Sequence, residues 1–370
     1  MENLTVKFNN TKDPDFITDL REQVNDYFVS HHLSHYANAA MIFKTIIILT
    51  ITFGSYALIL TNWFAPWQML LLAIIFGLGV AGIGFSIQHD ANHGAYSSNP
   101  TVNRILGLTL NLIGGNAFTW KIQHNILHHT YTNIYNLDED LDAGIIVRLS
   151  PNAPLRKFHK YQQYFAFAAY SLVTLMWFLI KDFKKIKRYN GQVNPGYKKH
   201  IPTSEWIILL LSKIIYTTYA IVIPLLVLHI HWWQFVIGFL VMHFTTGVVL
   251  SVVFQLAHVV DGTEQPMPDD HGLIDNAWAV HQCRTTSNFA KKNKLVCWYV
   301  GGLNFQIEHH LFAKICSIHY PQISDIVKRV ALKHGVPYHE QKTLFAAIKS
   351  HYRFLKILGN PSATLPPSNL

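Results

Sequence analysis

Three clusters of histidine carry the strongest chemical signal in this sequence. They read HDANH at 89–93, HNILHH at 124–129 and QIEHH at 306–310. Residues three and four apart share one face of a helix, so each cluster directs its side chains towards one point. Neutral imidazole binds iron, copper, zinc or nickel. The clusters therefore predict metal ligands at His89, His93, His124, His128, His129, His309 and His310.

The number and type of these side chains narrow the chemistry. So many imidazoles exceed what a single ion takes, so two metal ions are predicted. A zinc hydrolase would carry an HExxH pattern with its Glu as base, and the sequence lacks it. Glu308 lies between Gln306 and His309, and we expect it to point away from the metals. Imidazole-rich sites with open positions favour iron and oxygen chemistry.

Long apolar runs must position these clusters. The runs cover 38–61, 66–87, 206–228 and 232–254, and each has about the 20 residues that cross a bilayer as a helix. Only 14% of the residues are charged, against about 25% in a typical soluble domain. The sequence predicts an all-α integral membrane protein with four transmembrane helices and a helical cytoplasmic cap that holds the histidines.

The distribution of basic residues predicts the orientation. Segment 181–200 holds seven Lys or Arg, whereas the links 62–65 and 229–231 hold none. Because basic loops stay on the cytoplasmic side, both termini and all three clusters are predicted to be cytoplasmic. The cap then comprises an N-terminal segment 1–37, a first part 88–200 and a second part 255–370. The shorter apolar runs 105–120 and 164–180 are interpreted as interfacial helices.

The net charge of +9 favours contact with anionic lipid head groups. Docking of an acidic electron-donor protein is a second interpretation, and nucleic acid is disfavoured because the basic residues flank membrane spans. A GxGxxG match at 77–82 lies inside an apolar run with no strand before it. Close helix packing explains these small residues better than dinucleotide binding. Lys44 and Lys213 are expected to extend towards the membrane surface.

The order and spacing of the three clusters, between pairs of apolar runs, resemble those of the integral-membrane fatty acid desaturases. The Gln that opens QIEHH is similar to the front-end acyl desaturases, which place a double bond between an existing one and the carboxyl end. FQLAHVVDGTEQP at 254–266 and WYVGGLNFQIEHHLF at 298–312 support the resemblance. It covers roughly residues 16–340.

This resemblance implies two non-haem iron ions and O2 as co-substrate, for insertion of a cis double bond into an acyl chain. It adds His258, just after the fourth run, to the seven cluster histidines, and Gln306 as a weak ligand or one acting through water. Carboxylates near the clusters are predicted to orient the ligating rings. Asp261 is favoured because it follows His258 by three residues; the others are Asp90, Asp138, Asp140 and Asp142.

The predicted partners are a fatty acyl substrate linked to lipid, CoA or ACP, membrane lipids, and a separate electron donor. A ferredoxin or cytochrome b5 is expected as donor because segment 1–37 is short and lacks the HPGG haem motif. A bacterial inner membrane is favoured, or the ER membrane in a eukaryote. A hydroxylase on the same scaffold is the nearest alternative. A metal transporter is a remote one, because the clusters lie outside the apolar runs.

Overall fold

Helices dominate the part of the chain that the structure describes. The computed structural model describes residues 6–190 and 200–360. These residues form two compact units. We call residues 6–36, 122–166 and 253–360 the histidine unit, and residues 37–121, 167–190 and 200–252 the span unit.

Four helices are long and apolar enough to cross a membrane, which confirms the predicted fold class. They are Ala39–Leu60, Pro66–Asn92, Thr203–Val227 and Trp232–His258. The first begins where the Asn38 side chain accepts a hydrogen bond from the Met41 N–H, at 3.0 Å. The second begins with Pro66, whose missing N–H costs nothing in a first turn. The chain is therefore a membrane protein; which side each span faces stays a prediction.

Two of these spans change their helical pitch. The second is α-helical over Pro66–Gly82, π-helical over Ile83–Gln88 and α-helical again over His89–Asn92. It therefore continues past the predicted end at residue 87 and carries the first histidine cluster. The third is α-helical over Thr203–Thr217, π-helical over Thr218–Val222 and α-helical over Ile223–Val227. Pro224 lacks an N–H and disturbs the preceding turn, which accounts for the wider pitch there.

Small residues let the spans approach closely. A Cβ atom added at Gly77 would lie 2.7 Å from the Met242 carbonyl oxygen. The Thr246 hydroxyl donates to the Gly77 carbonyl at 3.0 Å across the same contact. This packing agrees with the interpretation of the GxGxxG match as a helix contact.

The expectation that Lys213 extends to the membrane surface is wrong. Its side chain is buried, and its ammonium group lies 2.7 Å from Asp182 and donates to the Gly114 carbonyl at 2.7 Å. Lys44 is buried as well. A buried ammonium requires a counter-ion, and for Lys213 Asp182 on the helix Asp182–Tyr189 supplies it. Because Asp182 lies far from Lys213 in the sequence, the sequence alone does not identify this ion pair.

The two shorter apolar runs fold as broken helices. The first contains Pro100–Gly107, Thr109–Leu112 and Ala117–Trp120. The second lies in a pair, Lys157–Ser171 and Val173–Tyr189, bent by 55°. That pair consists of turn Lys157–Tyr161, helices Gln162–Ser171 and Val173–Met176, π-turn Trp177–Lys181 and helix Asp182–Tyr189. Their interfacial position remains a prediction.

The histidine unit is built from short helices around an apolar core. Phe16, Leu20, Val24 and Phe28 recur at helical spacing on Pro14–Ser30 and are buried with residues of Tyr320–Lys333. Two short parallel sheets pair Lys7–Phe8 with Leu273–Ile274 and Ser287–Phe289 with His339–Gln341. The other elements are His129–Tyr131, Glu139–Leu141, Trp278–Thr285, Lys294–Tyr299, Gln306–Leu311, Ser317–His319 and Leu344–Leu358.

Candidate metal centre

The second histidine cluster lies on a widened helix. Lys121–His128 is π-helical and His129–Tyr131 returns to the α pitch. A π-helix has more residues per turn than an α-helix, so residues four and five apart both lie beside the first. The His124 ring accordingly lies 5.0 Å from that of His128 and 4.9 Å from that of His129. The widened turn thus gathers three imidazoles, where an α-helix would turn one aside.

The third cluster lies on the buried helix Gln306–Leu311. Glu308 is held by residues other than the cluster histidines, in agreement with the expectation that it points away from the metals. Its carboxylate accepts hydrogen bonds from the Tyr338 hydroxyl at 2.7 Å and the Asn288 amide at 2.8 Å. Burial raises the pKa of Glu308, and these two hydrogen bonds partly offset that effect. The Asn288 side chain also accepts from the Ile307 N–H at 2.9 Å, so it fixes the helix that presents His309 and His310.

Within the histidine unit the rings converge into groups with metal-ligand spacing. One group is His128, His258 and His310, and a second is His129, His309 and His310; within each, the ligand atoms lie within 4.8 Å of one another. His124, His128 and Asp140 form a third group of the same kind. His310 belongs to two of these groups, so the groups are direct neighbours.

In most of these histidine rings the outer nitrogen, Nδ1, lies beside a hydrogen-bond acceptor. His128 Nδ1 lies 3.0 Å from both Asp138 oxygens, and His124 Nδ1 lies 3.2 Å from Asp140. His310 Nδ1 lies 2.7 Å from the Gln282 side-chain oxygen, and His258 Nδ1 lies 3.4 Å from the Thr285 carbonyl. An acceptor at Nδ1 fixes the proton there and leaves the Nε2 lone pair for a metal.

His309 follows the same rule through a hydroxyl. Its Nδ1 lies 3.2 Å from the Tyr320 hydroxyl, which donates its proton to the Phe312 carbonyl at 3.5 Å. The hydroxyl oxygen is then an acceptor for the His309 ring.

His128 and Asp138 form the more buried of the two histidine–carboxylate pairs. The His128 ring is fully buried, which disfavours its charged form, but the charges of Asp138 and Asp140 outweigh burial and raise the pKa of His128. A more basic imidazole is a stronger ligand. Its Nε2 atom is buried and makes no hydrogen bond with any residue in the described ranges. A metal ion fits this nitrogen.

Gln306 lies beside His258. Its amide nitrogen is 3.2 Å from His258 Nε2, and its amide oxygen is buried without a hydrogen bond to any described residue. The side chain is therefore directed at the ligand nitrogen of a predicted metal-binding ring. Direct binding of a metal by Gln306 stays a prediction.

The remaining predicted carboxylates have other contacts. Asp261 accepts a hydrogen bond from Arg353, and its backbone N–H donates to the Ser350 hydroxyl at 2.8 Å, so its carboxylate serves a different partner from His258. Asp142 accepts from the Gly144 N–H in a turn. Asp90 lies 3.7 Å from His89 Nδ1, too far for a hydrogen bond.

The first cluster lies in the span unit. The His89 and His93 rings are 4.7 Å apart, and both face the Trp120 ring, at 5.6 and 5.8 Å. The helical spacing thus brings the two rings together. Their binding of metal stays a prediction.

Several contacts around the site escaped the sequence analysis. Gln282, Tyr320 and the Thr285 carbonyl hold the rings of His310, His309 and His258 from 28, 11 and 27 residues away. Phe254 packs against His128 and His258 at 5.1 and 5.0 Å between ring centres. Of these, only Phe254 carries a sequence signal, since it lies one helical turn before His258.

The fold and the site define a class of protein: a helical membrane protein with a buried, imidazole-rich centre compatible with metal binding. The comparisons with known proteins give the family. The model of the fatty acid desaturase family matches residues 61–342. The chain belongs to that family, and it is an oxidoreductase that desaturates fatty acyl chains.

The chain is also similar to individual desaturases along most of its length. It is 38% identical to the sn-1 linoleoyl-lipid 6-desaturase of Synechocystis sp., over 93% of this chain and 95% of that protein. The enzyme of the same name from Arthrospira platensis is 38% identical over 96% of both chains. An acyl-lipid (8-3)-desaturase of Physcomitrium patens is 32% identical over 96% of this chain and 74% of its own length.

Proposed function

We propose that this chain is a front-end desaturase that introduces a cis double bond into a lipid-linked acyl chain, using O2 and two iron ions. The observation that carries the proposal is the pair of imidazole groups that share His310, with their outer nitrogens held by acceptors. The proposed ligands are the histidines of all three clusters and His258, with Gln306 as a weak ligand or one acting through water.

The chemistry of the donor set fits iron. Neutral nitrogen ligands with few carboxylates suit a transition metal and not magnesium or calcium. Bound iron would supply the oxidant, drawn from O2, that removes hydrogen from an unactivated methylene; no side chain has that power.

The protein's own contribution is orientation and exclusion of water. Asp138 and Asp140 hold the second cluster, while Gln282 and Tyr320 hold the third, so the ligand nitrogens need no rearrangement to meet a metal. His128, His258, His309 and His310 are all buried. Their burial keeps bulk water from the position where an acyl carbon would react, which protects a reactive oxidant from side reactions.

Two features support the front-end assignment and the lipid carrier. The third cluster opens with Gln306, and the relatives are named as sn-1 linoleoyl-lipid 6-desaturases and an acyl-lipid (8-3)-desaturase. We extend both properties to this chain. The iron centre and both termini are proposed to face the cytoplasm, on the basic side of the spans, where a ferredoxin or cytochrome b5 would deliver electrons.

The test is the fatty-acid profile of a host that expresses the chain and is fed linoleic and α-linolenic acids. We expect a new acid with its added double bond on the carboxyl side, absent with His310→Ala and retained with His271→Ala, a matched change at an exposed histidine. Iron bound to the purified protein is measured in parallel. A hydroxylated product would overturn the reaction in favour of the hydroxylase, and an iron-free wild-type protein would overturn the metal assignment.

A further inference from the structure

A pocket of about 670 Å³ with both polar and apolar walls lies in the span unit. Its lining comes from the end of the second span, the helix Pro100–Gly107 and the start of the third span. We call it the Arg104 pocket. Its charged lining residues are Arg104, Lys121 and Glu205, and His93 of the first cluster lines it as well.

Arg104 and Lys121 are exposed, and neither side chain forms an ion pair or hydrogen bond with a residue of ranges 6–190 and 200–360. The polar walls, by contrast, are already engaged. Asn103 bonds the Ser97 backbone at 2.6 and 2.9 Å, and Asn111 accepts from the Ala117 N–H at 2.8 Å. The walls are therefore braced, while the two cations remain available to an anion.

The helix that carries Arg104 is amphipathic in an unusual way, because apolar side chains beside the cation face outwards. Val102 and Ile105 are 36% and 62% exposed. Exposed apolar residues next to a cation are typical of segments at the bilayer surface. A water-soluble carrier would gain nothing from such a rim, whereas a membrane lipid presents an anionic head and apolar chains together.

We propose that the Arg104 pocket binds the phosphate-bearing headgroup of a membrane glycerolipid, which is then the carrier of the acyl chain. This rests on the proposed function and specifies its substrate. A guanidinium presents paired donors that match phosphate oxygens, and Lys121 adds a second positive charge. Since His93 lines the same pocket, the acyl chain of the bound lipid begins beside the first histidine cluster. Glu205 opposes the anion and limits its affinity.

The experiment measures binding of dihexanoyl phosphatidylglycerol, a soluble short-chain lipid, to the purified full chain in detergent by calorimetry. We expect the double variant Arg104→Gln/Lys121→Gln to bind about tenfold more weakly. Glu205→Gln should bind about twofold more tightly, because it removes a negative charge that repels the lipid phosphate. Lys294→Gln, at an exposed lysine of the histidine unit that pairs with none of the described residues, is the control and should bind as the wild type does.

Each other outcome decides the matter. Equal binding by the wild type and the double variant would overturn the proposal. Tighter binding by Glu205→Gln would show that the charge of the pocket affects affinity, because a misfolded protein does not bind more tightly. Coenzyme A binding more tightly than the lipid, and losing affinity in the same variants, would overturn the choice of a lipid carrier. Equal affinity for inorganic phosphate would reduce the site to a nonspecific anion site. Binding requires no turnover, so a wild type that binds lipid but makes no desaturated acid would overturn only the proposed function.

Discussion

Two buried histidines, His128 in the histidine unit and His243 in the span unit, differ in the way that separates a proposed metal ligand from a packing residue. Both are almost inaccessible to solvent, at 0% and 2% exposure. Both also carry their proton on Nδ1. His128 Nδ1 faces Asp138; His243 Nδ1 faces the Thr174 hydroxyl at 3.0 Å, and that hydroxyl donates its own proton to the His243 carbonyl at 3.1 Å.

The difference lies at the other nitrogen. His243 Nε2 accepts a hydrogen bond from the Tyr216 hydroxyl at 2.9 Å, so its lone pair is used. His128 Nε2 has no such partner among the described residues and lies in a group with the nitrogens of His258 and His310. Burial and tautomer are therefore the same in both regions, and what faces Nε2 decides whether a histidine can bind a metal.

Removal of the proposed ligand His128 should have the largest effect. His128→Ala should abolish desaturation and lower the iron content of the purified protein, because the group with His258 and His310 loses one nitrogen. The matched change His243→Ala should leave bound iron unchanged, whatever it does to thermal stability. The measurements are product analysis and metal analysis on the same preparations. Equal iron loss in both variants would contradict the distinction between the two histidines.

A smaller effect is expected from the group behind the ring. Asp138→Asn keeps the shape but removes the charge that raises the pKa of His128 and holds its proton on Nδ1. Loss of such a partner typically costs about 10- to 100-fold in metal affinity or activity. Iron affinity is measured by competition with a chelator.

Asp261→Asn is the matched control for Asp138→Asn, since it alters a carboxylate that lies closer in sequence to a site histidine than Asp138 does. We expect it to retain iron affinity, because its carboxylate pairs with Arg353. If Asp261→Asn lost iron and Asp138→Asn kept it, the reasoning from sequence proximity would be correct and the geometric argument would fail.

The sequence predicts the spans and the grouping of the histidines well because both depend on local spacing. Apolar runs of about 20 residues and histidines one turn apart are visible in a single chain. The sequence predicts the supporting contacts poorly, since these depend on tertiary packing. Spacing predicts Asp261 as the partner of His258, but in the structure the Thr285 carbonyl is the acceptor at His258 Nδ1. Lys213 is expected to reach the membrane surface, but it forms an ion pair with Asp182.

Pitch is a second property that spacing alone does not reveal. An α-helix is expected for all three clusters, but the second cluster lies on a π-helix over Lys121–His128. An α-helix would place His129 well away from His124, whereas the observed ring distance is 4.9 Å. A pair of histidines four and five positions after a first one therefore favours a π-helical turn, which an analysis with a period of 3.6 residues does not detect.

A still smaller effect is expected from the tyrosine that contacts His243. Tyr216→Phe removes the hydroxyl that occupies His243 Nε2 and leaves a buried nitrogen without its donor. The cost should be about 1 kcal/mol of stability, seen as a lower thermal midpoint, with iron content and product unchanged. Tyr219→Phe is a matched control, since it removes a partly buried hydroxyl that is bonded to the Leu112 carbonyl and not to histidine. Uptake of additional metal by Tyr216→Phe, absent in Tyr219→Phe, would show that the Tyr216 hydroxyl is what keeps His243 from binding a metal. Loss of iron at an unchanged midpoint would instead contradict the assignment of His243 to packing, because a packing contact acts through stability.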